Sequence, residues 1–271
     1  MTGTKWLEAR VSLALVVALG MGLVAFTWPL FLSPTSAMSP AQAPLVFALV
    51  LPLILAVVLS ELAGGRMEVK QLAMLGVLAA VGTLLRPLSA GTAGFELVFF
   101  LMILAGRVFG PAFGFALGAI TMFTSGLLTS GVGPWLPYQM LAAGFVGLFA
   151  GWQPRAHGRR ELVLLAGYGV LSAFAYGWLM DFSFWPFALG GNTQLSFDPA
   201  IGALANLQRF VLFNLATSMG WNAGRALTNA VVILVLGAPL LRLFRRAARR
   251  AAFVPAERSL DGIVAGTGRL G

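Results

Sequence analysis

Apolar residues along the chain fall into eight long runs, parted by short breaks rich in glycine, proline and charge. The runs occupy 11–32, 44–62, 70–85, 95–108, 112–129, 137–152, 162–189 and 221–243. A helix needs about 20 mostly apolar residues to cross a bilayer. Most runs approach that length; the third is shorter and the fourth shorter still. Pro52 predicts a kink in the second. Alternation of period two is absent, so strands are not expected and eight membrane helices are. The first run is too long for a secretory leader, and no small-residue cleavage site precedes a polar region.

Composition sharpens this picture. Of 271 residues, 59% are hydrophobic and only 10% charged, against about a quarter charged in ordinary soluble domains. The mean hydropathy is +0.88. A soluble core of this length cannot hide so much apolar surface, so the solvent for most of the chain is lipid. There is no cysteine, which excludes disulfides, thiolate metal sites and thiol nucleophiles. The one histidine, His157, sits in the basic loop Arg155-Ala-His-Gly-Arg-Arg and reads as solvated.

The net charge of +9 suggests nucleic acid until the charges are located. With eight crossings and a cytoplasmic N-terminus, the inner segments carry Lys5, Arg10, Arg66, Lys70, Arg107, Arg155, Arg159 and Arg160. The C-terminal region adds Arg242, Arg245, Arg246, Arg249, Arg250, Arg258 and Arg269, making 15 of the 18 basic residues. The positive-inside rule explains this distribution without nucleic acid. Both termini are then cytoplasmic, and the tail run RLFRRAARR is an orientation anchor that also attracts anionic lipid.

Three arginines remain on the outer side: Arg86, Arg209 and Arg225. Arg225 belongs to the last run, where Ser218, Asn222, Arg225 and Asn229 follow at spacings of four, three and four. Those spacings share one helix face, and Asn214 extends it if the helix continues backward. Such a stripe must face protein or water. For a lone asparagine, hydrogen-bonded packing is the simpler reading; for the whole stripe with Arg225, a cavity is. Asp181, flanked by Trp178 and Trp185, and Glu96 are the acids that can neutralise Arg225 or Arg86, or line an outward pocket with them.

The turn GVGPWLPYQM between the fifth and sixth helices adds Trp135, Tyr138 and Gln139 at the same outer level. Aromatics alone would suit the headgroup belt. Gln139 beside them suits an organic ligand with rings and polar edges. Glycine and alanine recur every four residues in the fifth helix (Gly110, Gly114, Gly118), in the sixth (Ala143, Gly147, Gly151), and as Gly76 and Ala80 in the third. That spacing lets helix backbones approach closely.

The run from GFELVFFLMILAGRVFGPAFGFALGAITMFTSGLL through GVGPWLPYQMLAAGFVGLFAG resembles the substrate-binding S components of energy-coupling-factor vitamin transporters. The likeness continues through YGWLMDF and GWNAGRALTNAVVILVLGAPLLRLFRR, covering roughly 70–250. It implies a six-helix substrate-binding core preceded by a pair of transmembrane helices over 1–69 and followed by a disordered cytoplasmic tail over 251–271. It further implies a vitamin or related micronutrient bound at the outer face. The partners would be a membrane coupling protein and two ATP-hydrolysing subunits in a bacterial cell membrane, with the S component toppling in the bilayer to release its ligand. By the same likeness, Gly76 and Ala80 would touch the coupling protein, glycine standing where alanine is commoner. The ligand regions would contain Arg86, Glu96, Trp135, Tyr138, Gln139, Asp181, Asn222 and Arg225. The likeness is nearest to actinobacterial members assigned to cobalamin, whose phosphate an arginine would suit.

Other classes find less support. An enzyme needs a nucleophile with a base, or clustered metal ligands; one loop histidine and two scattered carboxylates supply neither, and neither cofactor nor metal is expected. A stand-alone secondary transporter would show inverted repeats and a midplane ion site, for which only Asp181 is placed. No G-x-x-x-x-G-K-[ST] is present, so a P-loop does not hydrolyse ATP here.

Overall fold

The computed structural model describes residues 13–27, 29, 43–63, 69–89, 94–188 and 193–251. The expected tail from 252 onward, and the connections at Ser36 and Asn192, lie outside the described residues. The described residues form helices and no strand: α1 Leu13–Thr27, α2 Ala43–Ala63, α3 Val69–Ser89, α4 Val98–Phe109, α5 Pro111–Leu128, α6 Leu136–Gly151, α7 Gly158–Ala188, α8 Ala203–Thr217 and α9 Met219–Ala251. The protein is an all-α membrane protein. Four helices are long and apolar enough to cross a membrane, over Val69–Leu88, Pro111–Leu128, Gly158–Pro186 and Met219–Arg249; α1, α2, α4 and α6 hold shorter apolar stretches. Leu23, Val24, Leu84, Leu171, Leu227 and Val235 are all more than half exposed, as side chains facing acyl chains must be.

Each of the eight runs holds a helix, and α8 is an addition to them. Its sequence is amphipathic and carries no long apolar run: Asn206, Phe210, Phe213 and Asn214 turn inward, while Leu204, Leu207, Leu212 and Leu215 remain exposed. α8 joins α9 through Ser218, whose φ of −118° breaks the helix. The hydrogen-bond ladder still runs through the joint, from Ser218 N to Asn214 O and from Asn222 N to Ser218 O. The backward extension of the α9 stripe to Asn214 therefore exists, with a bend in it.

The core centres on α4, whose residues Val98 to Gly106 are all buried. A 12-residue helix rises only about 18 Å, too little to span alone. It is hydrophobic all round because other helices surround it. Gly110, at φ +99°, turns the chain directly into α5, a backbone conformation that favours glycine. Pro111 follows at the first helical position, where a missing N–H costs nothing.

α5 and α6 share the most extensive interface, and small residues cause it. A Cβ added to Gly147 would lie 2.8 Å from Gly114 Cα, and one added to Gly118 would lie 2.5 Å from the Ala143 carbonyl carbon. The repeats of glycine and alanine spaced by four do bring these two backbones together. α1 packs on α6, with the Phe26 and Tyr138 rings 5.6 Å apart edge to face.

The two ends of the bundle differ in chemistry. At one end Glu161, buried at the start of α7, accepts from Arg107 Nε at 2.8 Å and from Arg245 of α9. Arg107 also donates to the backbone carbonyls of Gln153 and Ala156 in the α6–α7 connection. The other end gathers the polar groups of the candidate site.

Candidate ligand-binding site

Arg225 is buried in the second turn of α9, and Glu96, just before α4, accepts from its Nη2 at 2.8 Å. Its Nη1 donates to Asn222 Oδ1 at 3.1 Å and to the Ala173 carbonyl of α7 at 3.4 Å. The guanidinium carbon lies 5.6 Å from the Phe99 ring centroid and 5.0 Å from that of Tyr176, within cation–π range. A buried cation demands such compensation, because desolvation alone would expel it.

Two glycines make this geometry possible. Gly94 has φ +79°, and a Cβ there would lie 2.8 Å from the Trp221 carbonyl carbon. The bare backbone thus rests on the start of α9, and Glu96, two residues on, reaches Arg225. On α7, a Cβ at Gly177 would lie 2.6 Å from Asn222 Cγ. Gly169, Ala173 and Gly177, spaced by four, form a slot that receives the α9 stripe: Asn229 Nδ2 donates to Gly169 O at 3.1 Å. The Nδ2 of Asn229 thus serves hydrogen-bonded packing between α7 and α9.

The slot does not use every group placed in it. Among the described residues, buried Asn214 Oδ1, Asn222 Nδ2, Arg225 Nε and Asn229 Oδ1 have no hydrogen-bond partner. Buried polar atoms rarely stay unpaired, and each costs about 1–3 kcal/mol when they do.

A second group adjoins the first. Arg86, near the end of α3, donates from Nη2 to Gln139 Oε1 at 3.0 Å and from Nη1 to Ser125 Oγ at 3.3 Å. Tyr176 lies within electrostatic reach of Arg86, Glu96 and Arg225 together. Asp181 accepts from Asn214 of α8 and lies within electrostatic reach of Arg225. The ends of α3, α5 and α7 and the starts of α4, α6 and α9 therefore meet here. Arg209 is 3.7 Å from Asp198 and donates to Ser196 O at 3.1 Å, beside a cavity of about 530 Å³.

A family model, ECF transporter, substrate-specific component, matches residues 70–237 of the 271. The chain belongs to that family. No curated protein and no solved structure matches it. As an ECF substrate-specific component the protein is integral to the plasma membrane and binds a transported substrate; such components work with a membrane coupling protein and an ATP-hydrolysing module.

Within this S component the sequence-derived residues have separate placements. Arg86 and Gln139 are bonded to each other, as are Glu96, Asn222 and Arg225, and Asp181 turns to α8. Trp135 is exposed, its indole donating to Gly131 O within its own turn. Tyr138 is buried against Phe26. Gly76 and Ala80 are exposed on one face of α3, and nothing lies within 4 Å of a Cβ at Gly76.

Several contacts of this end were not foreseen from sequence. Asn206 accepts from Asp198 N and donates to Asp198 O, pinning the loop before α8. Trp185 Nε1 donates to Leu195 O at 2.7 Å over a small aromatic cluster with Phe210 and Phe213. The spacing of Gly169, Ala173 and Gly177 was the available signal for the slot.

Proposed function

We propose that this S component binds a vitamin, with cobalamin the leading candidate, at the outer end of the bundle for ATP-driven uptake. The ligand lies against Arg86, Glu96, Trp135, Tyr138, Gln139, Asp181, Asn222 and Arg225. Arg225 Nε and Asn222 Nδ2 donate to its polar edge, and aromatic faces stack on its rings. A membrane coupling protein docks at Gly76 and Ala80 and connects it to two ATP-hydrolysing subunits. The observation that carries the reading is the set of buried donors and acceptors left without partners beside aromatic rings. Packing leaves Arg225 Nε and Asn222 Nδ2 without an acceptor, which a ligand would supply.

Native mass spectrometry of the detergent-purified protein tests the ligand class: a copurifying vitamin mass identifies it. Calorimetry then tests the site. Arg225→Ala and Gln139→Ala should each weaken binding by about 1–3 kcal/mol per lost hydrogen bond, measured on monodisperse protein. Unchanged affinity in both variants places the ligand elsewhere.

A further inference from the structure

The end opposite the candidate site carries a set of cations that the transport reading does not use. Arg155, Arg159 and Arg160, around the start of α7, are exposed, and so are Arg242, Arg246 and Arg249 on α9. Among the described residues none of these six has an ion-pair partner. For the α7 group the carboxylate nearest in sequence, Glu161, is buried and already shared by Arg107 and Arg245. That triad also brings the two arginine groups together: Glu161 follows Arg160 directly, and Arg245 lies between Arg242 and Arg246.

The surroundings fix the level of these charges. Arg242, Arg246 and Arg249 follow at spacings of four and three, along one helix face. The same stretch of α9 exposes Val235, Leu236 and Leu243 just before and among them. At the end of α6, the exposed rings of Phe149 and Trp152 pack 5.5 Å apart shortly before Arg155. Apolar surface, then a tryptophan, then arginines is the order met on leaving the hydrocarbon layer. Arginine stems can lie along the apolar face while the guanidinium groups reach phosphate.

We propose that this end is a binding surface for anionic phospholipid headgroups, phosphatidylglycerol being the probe chosen here. The six arginines hold lipid phosphates around the α6–α7 connection and the end of α9, and the Glu161 triad keeps the two groups in register. A docked acidic protein would not require the arginines to continue an exposed apolar face.

The test is lipid retention by the full chain in detergent, counted by native mass spectrometry after equilibration with equal phosphatidylglycerol and phosphatidylcholine. The wild type should retain phosphatidylglycerol preferentially, and the preference should shrink as salt is raised. Arg242→Gln, Arg246→Gln and Arg249→Gln together should lower it by about fivefold per arginine, the equivalent of ~1 kcal/mol each. The three corresponding lysine substitutions should preserve it. Arg155→Gln, Arg159→Gln and Arg160→Gln form a second, independent set with the same expectation. Equal retention of both lipids by the wild type overturns the proposal. So does competition by inorganic phosphate at matched concentration, or tighter binding of polyglutamate than of phosphatidylglycerol vesicles.

Discussion

Replacing Gly177 by alanine separates the roles of the slot. The new methyl carbon would lie 2.6 Å from Asn222 Cγ, and its nearest neighbour would be Asn222 Oδ1. Ordinary contacts between carbons sit at about 3.5–4.0 Å, so the amide must retreat by about 1 Å. Asn222 Oδ1 then leaves its 3.1 Å bond to Arg225 Nη1, since hydrogen bonds beyond about 3.5 Å no longer count as such. Loss of a bond to a charged group costs about 1.5–3 kcal/mol. Alanine returns up to about 1 kcal/mol over glycine in a helix interior. The net destabilisation is then small, about 0.5–2 kcal/mol. In the proposed site, where Asn222 and Arg225 hold the ligand, affinity should fall about tenfold or more. Gly167 on the same helix is the control: nothing lies within 4 Å of its Cβ position, so Gly167→Ala should be neutral or stabilising with affinity intact. Thermal unfolding in one detergent and calorimetry on each variant read the two quantities. If Gly177→Ala matches Gly167→Ala in both, the slot does not position Asn222 and the reasoning fails.

Other substitutions test other parts of the structure. Gly147→Ala should prevent stable folding, because its Cβ would meet the Gly114 backbone, which has no flexible end to move; size-exclusion chromatography after extraction reads this. Glu161→Gln should destabilise by about 3–5 kcal/mol, the cost of stranding a buried charge, since Arg107 is largely buried and loses its carboxylate; denaturant unfolding measures it. Gly76→Leu with Ala80→Leu should leave ligand binding unchanged and abolish ATP-dependent uptake, by separating backbones at the proposed coupling-protein contact; normal uptake removes that contact.

Periodicity made the helices legible and left their partners open. Each of the eight runs is apolar and bounded by glycine, proline or charge, so each announces a helix without reference to the others. α8 escaped because its signal is of another kind: Phe210 and Phe213 point one way while Asn206, Gln208 and Arg209 interrupt any apolar run. The partner of Arg225 was open for a different reason. Glu96 and Asp181 both lay at the outer level, and nothing along the chain ranks two carboxylates on different helices. What decides for Glu96 is the backbone of Gly94 resting on Trp221, a contact 127 positions apart whose only local trace is a glycine in a loop. Glu161 was unremarkable for its company, because an acid beside two arginines at a helix start looks solvated. It is buried because Arg107 arrives from α4 and Arg245 from α9.

The slot between α7 and α9 shows why a polar stripe and a small-residue stripe belong together. Asn222, Arg225 and Asn229 carry side chains too large and too polar to lie between two ordinary apolar helix faces. They can be buried only where the facing helix withdraws its own side chains and offers backbone carbonyls. Gly169, Ala173 and Gly177 do both: two of their carbonyls accept from the stripe, and the absent side chains leave its volume. Each stripe is visible in the sequence alone. That they face each other is seen in Arg225 Nη1 and Asn229 Nδ2 donating to the Ala173 and Gly169 carbonyls, which a membrane interior favours because it offers buried donors no water. The donors left over, on Arg225 and Asn222, are the ones that packing against α7 could have satisfied and did not. They are buried where Glu96 meets Arg225 and Asn222 meets α7.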